Sequence, residues 1–156
     1  MRKNIIFFLL ALAFVLYPLP AAAIAPQTPA IDYQLPYPGI LPDSPFYAIK
    51  IIRDKVLGFF ISNSLKKAEY AISMADVRMS AALALADQKK DLSLAKTTTS
   101  KAQNYLEEAI INIRIAKAQG IDTQDLMKRL NQAKGKHQEM TSQIEKKINK
   151  NEVKKH

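Results

Sequence analysis

The 156-residue sequence contains no cysteine and no tryptophan, and no proline follows Pro45. Without cysteine the chain can form no disulfide, thiolate nucleophile, cysteine-ligated zinc site or iron–sulfur cluster. With 48% hydrophobic and 24% charged residues, the composition is typical of a chain that folds, which excludes collagen-like and low-complexity classes. The absence of proline from residue 46 to residue 156 leaves room for long helices.

Residues 1–23 are predicted to be a secretory signal peptide. The segment begins with two positive residues, continues with an unbroken apolar run at 5–16, and ends in three alanines that offer a cleavage site after Ala23. We expect a mature chain that starts near Ile24 and is exported to an extracellular, periplasmic or cell-surface location. The alternative is an uncleaved N-terminal helix that anchors the chain, although two prolines interrupt it.

Residues 24–44 are predicted to form a proline-rich arm, because prolines fix their own backbone angles and favour extended geometry in the preceding residues. The second half of the arm carries Tyr33, Leu35 and other apolar side chains, so we expect it to fold back onto the helices. A ligand for an aromatic groove of a partner is the alternative. Residues 37–40 (YPGI) fit a type II turn, whose third position requires a positive φ and therefore favours Gly39.

Four helices are predicted after the arm, because apolar residues recur there at alternating steps of three and four. The first runs from a Ser-Pro start at 44–45 to about Phe60, and the second is capped by Asn63. The third ends at Gly120, and the fourth follows a cap at Asp122. A turn between the second and third helices rests only on five polar residues at 87–91, and one continuous rod is the alternative.

These patterns indicate an all-α fold class: an antiparallel three-helix bundle with a short preceding helix and an N-terminal proline-rich arm. The bundle domain spans residues 45–148, and a basic tail occupies 149–156. Three long helices of matched length pack antiparallel with short turns. The short first helix is expected to lie across the bundle, and its apolar residues share one face: Ile49, Ile52, Val56, Phe59 and Phe60.

The sequence also resembles a known family at several short motifs. Residues 35–47 (LPYPGILPDSPFY) resemble the opening of an uncharacterised family of exported bacterial helical proteins, catalogued only as a domain of unknown function. Asn63-Ser64 departs from the Asp-Pro expected there, although both pairs can start a helix. The resemblance implies export and a helical fold and brings no activity. Four further segments are similar at comparable spacing: 50–54 (KIIRD), 67–70 (KAEY), 75–78 (ADVR) and 136–139 (KHQE).

The residues that could carry chemistry are few. His137 lies on the apolar seam of the fourth helix, where we expect it to be buried and hydrogen-bonded to a neighbouring helix; a catalytic or metal role is the alternative. Glu107 and Glu108 point about 100° apart on a helix and do not converge. A solvated face is expected for Asp76 and Arg78. No catalytic residue, cofactor site or metal site is therefore predicted.

The most distinctive local cluster lies where the arm meets the first helix. The structural interpretation is a helix cap with ion pairs that hold the arm to the helix. The functional alternative is a recognition corner, for which the candidate residues are Asp43, Ser44, Lys50, Arg53 and Asp54.

Positive charge is concentrated at the C-terminus. Residues 24–127 hold 12 basic and 11 acidic residues, whereas residues 128–156 hold nine basic and three acidic residues. This distribution is typical of attraction to an anionic polymer or lipid surface, and a solvated helix end is the alternative. The candidate contact residues are Lys146, Lys147, Lys150, Lys154 and Lys155.

The sequence leads to a first hypothesis of a non-enzymatic exported scaffold or adaptor at the cell envelope. Its partners would be an envelope protein, an anionic polymer or lipid surface, or a second copy that packs against a spare alanine and methionine face. The alternative is an extracellular binder of nucleic acid or another polyanion through the basic C-terminal helix. Nucleic acid is the less favoured polyanion because the tail has no aromatic side chain for base stacking.

Overall fold

The computed structural model of the chain describes residues 32–89 and 91–154. The predicted signal peptide, the first part of the arm, Lys155 and His156 lie outside the described residues. The described part is helical and contains no strand. Its elements in chain order are α1 (Tyr47–Phe59), α2 (Ser64–Ala84), a π-helical turn (Leu85–Lys89), α3 (Leu92–Ala118) and α4 (Gln124–Val153).

The predicted antiparallel three-helix bundle is confirmed, with α2, α3 and α4 packed around two apolar clusters. The start of α2 meets the end of α3 and the start of α4 in a cluster that includes Ile72, Ile113 and Leu130. The end of α2 meets the start of α3 and the second half of α4 around Met79 and Ile144. Many positions between these larger side chains are fully buried alanines, which allow close approach of the helix backbones.

The turn between α2 and α3 is confirmed, and the continuous rod is wrong. After the π-helical turn the backbone N–H of Asp91 donates to the carbonyl of Leu85 at 3.0 Å. The Asp91 side chain then accepts the backbone N–H of Leu94 at 3.0 Å and caps α3. A polar run without glycine or proline can therefore separate two helices. The side chain of its last aspartate accepts a backbone N–H that has no partner within the next helix.

The predicted ends of the other helices are largely confirmed. The Asn63 side chain accepts the Lys66 N–H at 3.0 Å. The Asp122 side chain accepts the Gln124 N–H at 3.0 Å, although the N-cap position of α4 is Thr123 and not Asp122 as predicted. Gly120 has φ 76°, and the backbone N–H of the next residue, Ile121, donates to the Ala116 carbonyl at 3.1 Å in a Schellman motif.

The start of α1 differs from the prediction, since this helix begins at Tyr47 and not at Pro45.

The residues before α1 form a turn and not a first helical turn. Ser44 accepts the Phe46 N–H through its side chain at 3.3 Å and the Tyr47 N–H through its carbonyl at 3.0 Å. Earlier in the arm, Tyr33 packs against the first apolar cluster and Leu35 against the second. The expectation that this half of the arm folds back onto the helices is confirmed for the described residues.

The orientation of α1 is the largest departure from the sequence pattern. The spacing rule alone would place the apolar face of α1 against the bundle, yet Ile52 is 64% exposed and Phe59 is 84% exposed. The buried residues of α1 are instead Tyr47, Lys50 and Asp54. The helix therefore docks through a polar face, for which the reason lies in the side chains of α2.

Candidate functional site

Two polar clusters lie on opposite sides of α2, each centred on a buried charged side chain. Asp76 and Arg78 are two residues apart, which places them about 200° apart around a helix of 3.6 residues per turn. Asp76 is 2% exposed and Arg78 is 4% exposed, so the predicted solvated face for this pair is wrong. Each residue faces a different neighbour: Asp76 faces α4, and Arg78 faces α1.

The first cluster, here called the Asp76 cluster, consists of Tyr33, Ser73, Asp76, Arg129 and His137. Asp76 Oδ1 lies 2.9 Å from His137 Nε2, and Tyr33 donates its hydroxyl to Asp76 Oδ2 at 2.6 Å. Arg129 Nη2 lies 3.8 Å from the same Oδ2 and donates to the Ser73 hydroxyl at 3.1 Å. One carboxylate thus joins the arm, α2 and α4.

The second cluster, here called the Arg78 cluster, consists of Tyr47, Lys50, Asp54, Tyr70 and Arg78. Arg78 donates to the Tyr47 hydroxyl at 2.5 Å, and its guanidinium carbon lies 5.3 Å from the centroid of that ring. Arg78 Nη2 lies 3.7 Å from Asp54 Oδ2, and the Tyr70 hydroxyl donates to the Asp54 carbonyl at 2.6 Å. Together these contacts hold α1 against α2.

Lys50 connects the same cluster to the arm. Its Nζ donates to the carbonyls of Pro38 at 2.6 Å and Ile40 at 3.2 Å. The two carbonyls flank Gly39, which has φ 66°, as the predicted type II turn requires. Burial and the nearby Arg78 guanidinium lower the pKa of Lys50 below its ordinary value of 10.5. These two carbonyls therefore supply the acceptors for an ammonium group that has little access to water.

The recognition corner predicted from the sequence is divided between buried and exposed positions. Lys50 and Asp54 are buried, whereas Asp43 and Arg53 are exposed. Arg53 donates to Asp54 Oδ1 from Nε at 3.1 Å and from Nη2 at 2.7 Å. The structural interpretation, in which this corner holds the arm to α1, agrees with these contacts; a recognition role for the corner stays a prediction.

Three tyrosines of the clusters have altered acidity. Burial raises the pKa of Tyr33 above its ordinary value of 10.0, and the hydrogen bond to Asp76 raises it further. Burial also raises the pKa values of Tyr47 and Tyr70, with the negative charge of Asp54 as a further cause in both. All three side chains therefore stay protonated donors well into the alkaline range.

Two buried polar atoms of the clusters have no hydrogen-bond partner among the described residues: Asp54 Oδ2 and His137 Nδ1. His137 is 3% exposed, as expected, and lines an open groove of about 440 Å³ between α3 and α4 together with Glu107 and Lys134. Within residues 32–89 and 91–154, no group of three histidine, aspartate or glutamate side chains is arranged to hold a metal ion.

The basic C-terminal residues lie at the far end of α4. Lys146, Lys150 and Lys154 are exposed at steps of four, so they form one row along the helix. Lys147 differs, because its ammonium group forms an ion pair with Asp87 in the π-helical turn. Within the part of the chain that the structure describes, no helix is long and apolar enough to cross a bilayer.

Sequence reasoning missed the partner of His137 and the polar docking face of α1, although one signal was present. Tyr47, Lys50 and Asp54 follow steps of three and four, the same spacing that defined the apolar face on the other side of the helix. A helix with two regular faces, one apolar and one polar, gives no indication of which face is buried. That choice is made by Tyr70 and Arg78, which lie on α2.

Comparison with known protein families identifies the family to which this chain belongs. The model of the domain of unknown function DUF5667 matches residues 39–151. The chain belongs to the DUF5667 family. The match covers α1 to α3, all but the last two residues of α4, and the whole Arg78 cluster, whereas Tyr33 of the Asp76 cluster lies before the matched DUF5667 range. No curated protein and no solved structure matches the chain.

Proposed function

We propose that this DUF5667 chain is a non-enzymatic, exported helical scaffold or adaptor that acts at the cell envelope. The observation that carries the proposal is the use of buried charged residues to join helices. Asp76 contacts α4 and the arm, and Arg78 contacts α1, so the two buried charged residues of α2 are both paired within the chain. Paired buried charges are costly to break, and they favour one fixed arrangement of elements as the scaffold role requires.

Export is the part of the proposal that rests on residues outside the described range. The predicted signal peptide at 1–23 supports it, and the resemblance at residues 35–47 to exported bacterial proteins supports it as well. Expression of the full chain in a bacterial host should release a product whose first residue is Ile24, read by N-terminal sequencing. A full-length product retained in the membrane fraction would instead support the anchored alternative.

The scaffold proposal is tested by capture of partner proteins. A chain from Ile24, used as bait in an envelope extract, should retain a defined protein partner. The Arg78→Met variant should lose that partner if α1 must be held in place, whereas Arg114→Met, on the exposed side of α3, should keep it. Equal capture by both variants and by an unrelated basic protein would contradict a specific adaptor role.

A second function is favoured by one observation, the exposed row of Lys146, Lys150 and Lys154. Such a row provides a polyanion contact that weakens with salt. The test is heparin binding at low salt by a triple lysine-to-glutamine variant of this row. The matched control changes three exposed lysines of α3 in the same way: Lys96, Lys101 and Lys117. Loss of heparin binding in the α4 variant but not in the α3 control supports the polyanion function. An equal loss in both variants would exclude a dedicated site on α4.

A further inference from the structure

The first helix presents an apolar surface that the rest of the described chain does not cover. We define the α1 apolar face as five side chains that are each between 49% and 84% exposed: Ile49, Ile52, Val56, Phe59 and Phe60. Single exposed apolar residues are common on proteins, but a contiguous patch of large ones marks a binding surface. Phe59 and Phe60 form an edge-to-face pair with ring centroids 5.7 Å apart at the end of this face.

This apolar face is held outward by the opposite side of the helix. Tyr47 and Asp54 contact Arg78, and the Tyr70 hydroxyl donates to the Asp54 carbonyl at 2.6 Å. Gly58 lies so close to the Tyr70 ring that an added Cβ would be 3.1 Å from a ring carbon. To turn the apolar face inward, α1 would have to break these contacts and expose Lys50 and Asp54, which are buried now.

The exposed charged residues of α1 are both basic, and one of them, Arg53, is ion-paired with the buried Asp54. Asp54 is the only acidic residue of this helix, and it is 5% exposed. Arg53 and Lys55 are exposed. At about 100° per residue, these two cations fall on opposite borders of the apolar face. Lys66 and Lys67 in the first turn of α2 are exposed as well.

We propose that the α1 apolar face binds an anionic lipid bilayer, with α1 lying in the plane of the membrane interface. Helices of this kind insert an apolar face about 5–10 Å into the boundary between headgroups and acyl chains, while bordering cations contact anionic headgroups. Lys55 is placed for that contact, and so is Arg53, whose side chain is exposed although its guanidinium also donates to Asp54 Oδ1. Their like charge opposes the other simple arrangement, in which the α1 helices of two copies pack face to face.

This lipid contact goes beyond the scaffold function and does not rest on it. A scaffold that binds only proteins has no need for a cationic border, and a lipid-binding helix needs no protein partner. The two proposals also use different measurements. Vesicle binding by α1 and capture of an envelope protein can each fail while the other holds.

The experiment is co-sedimentation of the chain from Ile24 with lipid vesicles. This chain keeps residues 32–154, which make all the contacts described above, and it lacks the apolar run at 5–16. We expect binding to vesicles of phosphatidylglycerol mixed with phosphatidylcholine, and at least tenfold weaker binding to phosphatidylcholine alone. Removal of two inserted side chains in Ile52→Ser/Phe59→Ser should weaken binding by about a hundredfold, because large apolar side chains can no longer be transferred out of water.

Further variants distinguish the contribution of apolar insertion to vesicle binding from the contribution of charge. Ile111→Ser/Ile115→Ser removes an exposed apolar pair from α3, and it should leave vesicle binding unchanged. Lys55→Glu should weaken binding to the anionic vesicles but not to phosphatidylcholine. Circular dichroism of each variant provides a check that the fold is retained, and all the changed side chains are exposed in the structure.

Three results would overturn the inference. The first is anionic vesicle binding that Ile52→Ser/Phe59→Ser does not weaken. The second is binding that is lost in the Lys146, Lys150 and Lys154 triple variant and unchanged in the α1 variants, which would assign the contact to the end of α4. The third is a dimer in light scattering that Ile52→Ser/Phe59→Ser dissociates, without vesicle binding by either form, which would identify a second copy as the occupant.

Discussion

Asp76 Oδ1 and His137 Nε2 lie 2.9 Å apart although the two residues are 61 positions apart in the sequence. Both side chains are 3% exposed, so this contact joins α2 to α4 away from water. The same carboxylate accepts the Tyr33 hydroxyl through its other oxygen. Asp76 is therefore the residue through which the arm and two helices depend on one another.

Replacement of Asp76 should destabilise the fold strongly. Asp76→Ala leaves the buried imidazole of His137 and the hydroxyl of Tyr33 without their acceptor, and we expect the free energy of unfolding to fall by about 3 kcal/mol. Urea denaturation followed by circular dichroism measures the change. Glu69→Ala removes an exposed carboxylate from the same helix and should change stability by about 0.5 kcal/mol or less. Equal losses in the two variants would contradict the structural role of Asp76.

Replacement of Arg78 should loosen α1 and leave the bundle folded. In Arg78→Met the guanidinium contacts to Tyr47 and Asp54 are lost, whereas the apolar clusters between α2, α3 and α4 are kept. Hydrogen exchange should become faster throughout α1 and stay slow in the middle of α3. Arg114→Met is the matched control on an exposed position. Unchanged exchange in α1 of Arg78→Met would show that other contacts hold this helix.

Much of the bundle could be predicted because its signals are local. The three-and-four spacing through α2, α3 and α4 defines which side chains meet, and Asn63 and Gly120 mark helix ends by their own chemistry. Alanine seams and matched helix lengths then leave few other arrangements. The burial of His137 followed from the same spacing.

The polar clusters could not be predicted, because their partners are distant in sequence. A solvated face is predicted for Asp76 and Arg78, but the two residues face different directions on the helix, and each pairs with another helix. The predicted orientation of α1 was wrong for a related reason. Its apolar and polar faces are equally regular, and the choice between them depends on Tyr70 and Arg78 in α2.

Gly120 should be costly to replace. Its φ of 76° is a left-handed conformation that a Cβ disfavours, and an added Cβ would meet no other atom within 4 Å, so the effect isolates the backbone. We expect Gly120→Ala to lower the free energy of unfolding by about 1 kcal/mol. Gly120→Asn should cost less, because asparagine tolerates this conformation better. An alanine variant as stable as the wild type would contradict the Schellman ending of α3.

Stability should fall above pH 10 because three tyrosines, one buried and two half-buried, resist ionisation. In the unfolded chain tyrosine ionises near its ordinary pKa of about 10, whereas burial raises the pKa values of Tyr33, Tyr47 and Tyr70. Between the two pKa values the folded state holds more protons than the unfolded state. Their contribution is therefore complete below pH 10 and is lost as the pH rises through the folded-state pKa.

Urea denaturation between pH 9 and pH 11 measures this decline. Tyr70→Phe should make the decline of stability with pH shallower. Lys50, whose pKa is lowered, also affects this slope, but it is present in both proteins. The difference between the two slopes is therefore due to Tyr70. Tyr37→Phe, at a position 86% exposed, serves as the control and should leave the slope unchanged. The same decline in wild type and in Tyr70→Phe would show that this tyrosine ionises alike in both states.

The most direct test of the outward orientation of α1 is the reactivity of single cysteines placed along this helix. The sequence contains no natural cysteine, so each introduced thiol is the only one that can react. Ile52→Cys and Phe59→Cys should react with a water-soluble thiol reagent about as fast as an unfolded peptide. Ala75→Cys, in the core of α2, should be protected by about a hundredfold or more. If Ile52→Cys and Phe59→Cys are protected as strongly as Ala75→Cys, the apolar face of α1 is turned inward, and the outward orientation described here is wrong.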